Sequence, residues 1–378
     1  MSNLLEIVVT ARPSWARVRT LADAYLNLNG ANKVRISLLG PALSNRYGDI
    51  SLQAPKTLVV NEFHSLMDSD TLPSVALSAL GGSEALVRFW AVSRPEMVLV
   101  IADRTETLGV STAAGIMQIP LIHLQGGEVS GSIDDKIRNA NSKLADFHLT
   151  TNALTRQRLL SLGESPNRIE VIGCPSLDIV VKSYGEKLDD VLSKVVGIGA
   201  EISPKDDYGI VMFHPDTLNI GQSVEWVHLL LKMVAESEHK WFWFWPNPDH
   251  GSISLTKLMR RARESLRTRN VRFVVNTSPE SFCRLAIGAQ VMVGNSSFGI
   301  REASLIGLPF VNLGDRQAGR QQADNVINLR LPKYDDLRFS VKVNWGTRFT
   351  KSNLYGDGNA GLKGALVLSQ WVPSLKIS

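Results

Sequence analysis

Short runs rich in β-branched and aromatic residues alternate with amphipathic helical stretches from the first residues onward, and no other feature limits the fold as much. Parallel neighbouring strands need a crossover of roughly a dozen residues or more, usually a helix, so the alternation predicts parallel sheets flanked by helices. In the first half, strands are expected at 6–10, 34–39, 57–60, 97–102, 121–124, 147–151 and 168–172. The pattern lapses at 197–207, GIGAEISPKDD, whose glycines, proline and charges suit a linker. It resumes at 208–213, 240–245, 271–275, 290–293 and 310–312, so the second half repeats the first. The expected fold class is therefore α/β, with two Rossmann-like domains, 1–198 and 199–378, facing across a cleft. The last helix can pack back on the first domain.

Length agrees with that division: 378 residues suit two domains of roughly 100–200 residues each. With 44% hydrophobic and 20% charged residues there is apolar surface for two cores, which excludes a disordered chain. Apolar stretches such as 97–102 and 241–245 fall far short of the ~20 residues of a membrane-spanning helix, so no membrane partner is expected. The N-terminus runs straight into a strand without a basic start or a cleavage site, which predicts a cytoplasmic protein. Cys174 and Cys283 lie far apart without CxxC or Cys/His spacing, so neither a disulfide framework nor a structural metal is expected. The net charge of +5 is modest, and its one cluster, Arg260, Arg261, Arg263, Arg267 and Arg269, lacks interleaved aromatics. That run reads as a solvated helix face, with no nucleic acid as partner.

Ligands of parallel sheets bind beyond the carboxyl ends of the strands, so the strand-end loops are where chemistry is sought. The first is Thr10-Ala11-Arg12-Pro13-Ser14, where Arg12 beside a helix start suits a phosphate or a plain cap. Asp103-Arg104-Thr105-Glu106 follows an apolar strand, and Asp103 reads either as a helix cap or as a substrate contact. Residues 125–135, QGGEVSGSIDD, are a Gly-rich loop with Glu128, Asp134 and Asp135, carboxylates able to move protons or to cap the next helix. His214 stands at a strand end in Phe213-His214-Pro215-Asp216, placed to bind phosphate or donate a proton. Asn247, in Pro246-Asn247-Pro248-Asp249-His250-Gly251, suits a ribose or sugar, and equally a turn. The aromatic block before it, WFWFW, reads as a strand buried on both faces.

The clearest nucleotide signal is GNSSFGIRE, 294–302, a strand passing through Gly294, Ser296 and Ser297 into a helix expected to begin near Gly299. Such a turn presents N–H groups and hydroxyls to a diphosphate, and Glu302 one turn later suits ribose hydroxyls. Arg316 and Arg320, after the next strand, are candidates for phosphate or base. Neither GxGxxG nor GxxxxGK[ST] occurs, which disfavours a redox dinucleotide or a P-loop hydrolase.

Four runs together resemble the hydrolysing UDP-N-acetylglucosamine 2-epimerases of sialic-acid and related nonulosonic-acid biosynthesis. They are 102–151, VIGCPSLD at 171–178, FHPDT at 213–217 and 293–320, in order along the chain. The resemblance implies the two-domain glycosyltransferase B architecture, with the sugar on the N-terminal domain and UDP held mainly by the C-terminal one. It implies UDP-binding roles for Arg12, Arg104, His214, Asn247, Ser296, Ser297, Glu302 and Arg316, and places Asp103, Glu128, Asp134 and Asp135 around the sugar. The implied chemistry removes the hydrogen at carbon 2 with loss of UDP, and then adds water with the opposite sense at carbon 2. A nucleotide sugar is the implied partner, with no cofactor, no tightly bound metal, and self-association of the chain.

Departures from the family pattern fall on the sugar side. Gln125 stands where the family usually has a catalytic glutamate, and an amide is no general base. Arg138-Asn139 replaces an arginine-histidine pair, and the first loop reads ThrAlaArg instead of GlyThrArg. Several readings stay open on the sequence alone: Asp103 or Asp134 as the base, a UDP- or GDP-linked 2,4-diacetamido sugar as substrate, a non-hydrolysing epimerase that returns the UDP-sugar intact, or a glycosyltransferase, plain hydrolase or binding protein on the same fold.

Overall fold

A computed structural model of the chain describes residues 4–44, 58–67, 69, 71–130, 134–216, 219–246, 252–265, 270–275 and 277–371. The chain divides into two compact units, the first made of Met1–Glu128, Ile133–Asp178 and Tyr355–Ser378, the second of Val129–Ser132 and Ile179–Leu354.

Strands β1 (Leu5–Val9), β2 (Val34–Leu39), β3 (Val59–Phe63), β4 (Met97–Ile101), β5 (Leu121–Leu124), β6 (Phe147–Thr150) and β7 (Ile169–Val171) belong to the first unit. Among the described residues they form one sheet in the order β3-β2-β1-β4-β5-β6-β7, every pairing parallel. The chain winds outward from β1 in one direction and then from β4 in the other, so a crevice opens at the carboxyl ends of β1 and β4. Along β1, Leu5, Ile7 and Val9 enter one apolar cluster, while Val8 joins Leu39, Val98 and Val100 in another. Burial on both faces is what a near-continuous apolar strand dictates. The one acid within β1, Glu6, is fully buried and is paired by Arg35, Ser37 and Trp90.

The second unit repeats the winding. Its strands are β8 (Gly197–Gly199), β9 (Tyr208–Met212), β10 (Lys240–Phe244), β11 (Val271–Val274), β12 (Met292–Gly294), β13 (Phe310–Leu313) and β14 (Val326–Leu329). Among the described residues the order is β14-β13-β12-β9-β10-β11-β8, parallel except for β8 against β11. Each unit is thus Rossmann-like, and the aromatic run lies in β10, whose residues Trp241–Phe244 are buried.

Three expectations are corrected. The segment read as a linker contains β8, and the units divide after Asp178 instead of at 198/199. Glycine was read there as a breaker, yet it is what lets β8 lie on its neighbour: a Cβ at Gly199, where φ is +117°, would come 2.1 Å from Val271 O. The helix after β12 begins at Ser297, not near Gly299. Finally, helix Leu72–Val92, 21 residues long with an 18-residue window of mean hydropathy 1.3, is long and apolar enough to cross a membrane by length and composition alone. Its serines and glycines break any uninterrupted apolar run, which hid it in the sequence. Its face of Ser78, Ala79, Gly82, Ser83, Leu86 and Trp90 is buried, while Leu72, Leu77, Leu80 and Val92 are exposed.

Helix Ala360–Gln370 packs on helix Arg19–Asn29 within the first unit. Asp178 fastens its start, Oδ1 accepting from Ala360 N at 2.9 Å and Oδ2 from Gly361 N at 2.7 Å. Thr20 Oγ1 also donates to Asp178 Oδ2, at 2.9 Å, and a Cβ at Gly361 would come 2.6 Å from the Thr20 backbone.

Candidate active site

In the first unit the strand ends gather three of the sequence-nominated acids around one arginine. Beyond β4, Ala102 adopts φ +58°, a left-handed conformation that a Cβ-bearing residue holds only when its surroundings fix it. Here they do: Ala102 N donates to Leu124 O at 2.8 Å, and Ala102 O accepts from His123 Nε2 at 2.8 Å and from Asn141 Nδ2 at 3.3 Å. A carbonyl only accepts, so the His123 proton sits on Nε2, and Nδ1 accepts from Ser142 Oγ at 2.9 Å. Burial pushes the His123 pKa down to about 3; the bond to Ala102 and the charge of Asp103 work against this, and the charges of His148 and Arg138 work with it.

That turn delivers Asp103 to Arg138, which lies on helix Asp134–Leu144 and is fully buried. Arg138 Nη2 pairs with Asp103 Oδ2, while Nη1 pairs with Asp135 Oδ1 and donates to Glu128 O at 2.7 Å. Burial opposes the guanidinium charge, but Asp103, Glu128 and Asp135 outweigh it and hold Arg138 above the ordinary arginine value. The helix N-cap falls on Arg104, so Asp103 serves the arginine and is not a cap. Glu128 is buried and its Oε1 accepts from Thr151 Oγ1 at 3.4 Å. Asp134 precedes Asp135 in the first helical turn, where the helix dipole favours an anion.

The remaining candidates of this unit face other partners. Arg104 Nε donates to Glu106 Oε2 at 3.3 Å. Arg12 opens helix Arg12–Ala16, and burial pushes its pKa down to about 10, still charged at neutral pH. Gln125 is buried at φ +67° and its Nε2 donates to Cys174 Sγ at 3.1 Å.

In the second unit Asn295 joins three strand-end loops. Its Oδ1 accepts from His214 N at 2.8 Å, its Nδ2 donates to His214 O at 2.9 Å, and its carbonyl accepts from Gln317 Nε2 at 2.8 Å. His214 is thereby held, buried, at the end of β9. The residue before Asn295 must be glycine: at Gly294 φ is +144°, and a Cβ would come 1.9 Å from Met212 O. Ser296 caps the short helix Ser297–Ile300, its hydroxyl accepting from Phe298 N at 3.4 Å, and Ser297 Oγ accepts from Arg301 Nη2 at 3.0 Å. Glu302 opens helix Glu302–Ile306, buried, with Oε2 at 3.9 Å from Arg301 Nε. Arg316 lies half-buried in the turn after Gly314, beside Gln317, whose Oε1 accepts from Arg320 Nη1 at 2.6 Å. Asn247 lies outside the described residues.

Replacing Asn295 by alanine is expected to cost about 1–3 kcal/mol, since it strands the buried His214 backbone groups. Urea unfolding measures that loss. Sequence reasoning quoted Asn295 within its motif without giving it a role, and missed His123, Asn141 and Gln317. Arg138 was noted only as half of a departing pair, although an acid three residues earlier signals an i,i+3 ion pair. Among the described residues, no three His, Cys, Asp or Glu side chains group as metal ligands.

Comparison with known proteins places these residues in context. The family described as UDP-N-acetylglucosamine 2-epimerase matches residues 26–368. The UDP-N-acetylglucosamine 2-epimerase of Neisseria meningitidis serogroup B is 29% identical over 332 residues, 87% of this chain and 84% of that protein. A hydrolysing UDP-N,N'-diacetylbacillosamine 2-epimerase of Legionella pneumophila is 30% identical over 265 residues, 70% of this chain and 68% of that one. Among solved structures, the Methanocaldococcus jannaschii UDP-GlcNAc 2-epimerase in complex with UDP-GlcNAc and UDP has TM-score 0.78 and 15% identity, covering 96% of this chain and 99% of that one. That likeness is one of fold.

Proposed function

The chain belongs to the UDP-N-acetylglucosamine 2-epimerase family, and from that premise we propose that it is a hydrolysing 2-epimerase, releasing UDP from UDP-N-acetylglucosamine or a close 2,4-diacetamido derivative with inversion at carbon 2. The observation that carries this reading is the gathering of Asp103, Asp135 and the Glu128 loop on buried Arg138. Loss of the carbon 2 proton needs a fixed carboxylate, and a buried cation beside it gives negative charge developing at the sugar a preorganised partner. The hydrolysing outcome is supported by the likeness to the Legionella enzyme, whose name states it.

In the reaction, Asp103 is assigned as the base that takes the proton from carbon 2. The C1–O bond to the diphosphate breaks, its electron pair leaves on UDP, and a C1=C2 glycal remains. Water then adds hydroxyl at carbon 1 and a proton at carbon 2 on the opposite face, giving an N-acetylmannosamine-type sugar. The second unit is assigned to UDP: His214, Ser296 and Ser297 toward the diphosphate, Glu302 toward the ribose, and Arg316 toward the phosphates. Within the first unit, Arg12 and Arg104 are assigned as cations able to pair with a phosphate.

Incubation with UDP-linked amino sugars in deuterated water is expected to release UDP and a sugar carrying deuterium at carbon 2. Asp103→Asn should abolish both while still binding UDP. Release of UDP without deuterium at carbon 2 would point instead to plain hydrolysis and sink the epimerase reading.

A further inference from the structure

We infer that Gln125 is a positioning residue, which fixes the place of Glu128 through its hydrogen bond to the buried Cys174 thiol, and that no proton of the reaction passes through position 125. The inference rests on the epimerase reading of the chain. It also departs from what the family pattern leads one to expect of this position, where an acid usually stands.

The loop from Gln125 to Glu128 is clamped at each residue. Gln125 has φ +67° and is 1% exposed; its N donates to Leu149 O at 2.8 Å and its Nε2 to Cys174 Sγ at 3.1 Å. At Gly126 a Cβ would come 2.8 Å from Ser142 Oγ, and at Gly127, with φ +76°, 2.2 Å from Thr155 O. Glu128 comes next, its carbonyl held by Arg138 and its carboxylate by Thr151. The thiol at the other end is itself immobile. Cys174 N donates to Tyr355 O at 2.7 Å, Sγ lies 2.9 Å from Ser176 Oγ, and a Cβ at the preceding Gly173 would come 3.2 Å from Gly356 Cα.

A side chain so enclosed, turned to a thiol and seated in a strained left-handed turn, serves the geometry of the loop that ends in Glu128. The amide suits that task because it carries a donor at every pH, whereas a carboxylate at the same buried place would bring in a charge and no proton to give. A sulfur acceptor makes a weak hydrogen bond, so its value lies in placement. Misplacing a reacting group by about an ångström can cost on the order of a hundredfold in rate.

The test uses the full chain with Gln125→Glu, Cys174→Ala and Cys174→Ser, read in two ways. Amide hydrogen exchange of residues 125–128 reports whether the thiol holds the loop, independently of any reaction. Steady-state UDP release from the sugar that the parent turns over gives kcat, KM and the pH profile. Cys174→Ala and Gln125→Glu are expected to speed loop exchange and to lower kcat by about tenfold or more with KM little changed, and the Gln125→Glu profile should keep the parent's limbs. Cys174→Ser, whose hydroxyl still accepts the amide proton, should restore both readouts toward the parent. A rise in kcat or a new pH limb in Gln125→Glu would overturn the inference, as would parental loop exchange or parental kcat in Cys174→Ala. Failure of the parent to label carbon 2 would end the epimerase reading, while the exchange measurement would still decide whether Cys174 holds the loop.

Discussion

Replacing Arg138 by methionine is expected to abolish turnover and to cost about 3–5 kcal/mol of stability, the loss typical when one partner is removed from a buried ion pair. Methionine keeps much of the volume and apolar stem, so the change isolates charge and hydrogen bonding from packing. What it strands is considerable: Asp103 and Asp135 lose their cation and the Glu128 carbonyl loses its donor. Thermal unfolding should register the first unit melting roughly 6–20 °C lower, taking about 2–4 °C per kcal/mol for a unit near 200 residues. Lysine at the same position restores a charge but not the planar fork that reaches two carboxylates and a carbonyl at once. Arg138→Lys is therefore expected to recover part of the stability and little of the rate. A methionine variant as stable as the parent would mean that the desolvation of these charges already offsets their attraction, and the ion network would then serve chemistry alone.

The same cluster explains how much of the molecule could be read from its sequence. Fold class was legible because parallel strands buried on both faces are near-continuous apolar runs, as β4 and β9 are and as β1 is apart from the paired Glu6. Two edge strands escaped. β8 is built from Gly197, Ile198 and Gly199, types that read as a break, and β14 is four residues without a fully buried one. Neither burial nor periodicity marks an edge strand that short; only the partner strand does.

In the site, each acid could be nominated from its loop, where a carboxylate at a strand end reads as a helix cap or as a substrate contact. What joins them could not be nominated. Asp103 and Arg138 are 35 residues apart and meet only because β4 and β5 are neighbours and Ala102 turns against its own preference. Asn295 was hidden for the same reason, because its role consists of bonds to His214, 81 residues earlier, and to Gln317. Gln125 was visible as a departure, but its direction was not: the thiol it faces lies 49 residues away.

Lowering the pH from 7 to 5 is expected to remove about 2 kcal/mol of stability through His123 alone. In the unfolded chain an imidazole takes up its proton near pH 6.5, whereas burial holds folded His123 unprotonated until about pH 3. Between those values the unfolded state binds more protons, so stability falls as the pH is lowered, by up to about 1.4 kcal/mol per pH unit. At neutral pH the contribution vanishes because both states are neutral. Charging the ring would also turn Nδ1 into a donor facing Ser142 Oγ, which can rotate to accept, so the opposition comes from burial and from nearby Arg138 and His148. His148, likewise lowered by burial, acts in the same direction, which is why the effect must be isolated by substitution. Urea unfolding of the parent and of His123→Asn at pH 7 and pH 5 provides the comparison: the variant starts less stable, having lost the support of Ala102 O, but should lose about 2 kcal/mol less on acidification. Equal losses in the two proteins would show that His123 does not stay neutral in the folded state. A loss confined to the parent would place the acid sensitivity of the fold beneath Ala102, at the turn that carries Asp103 to Arg138.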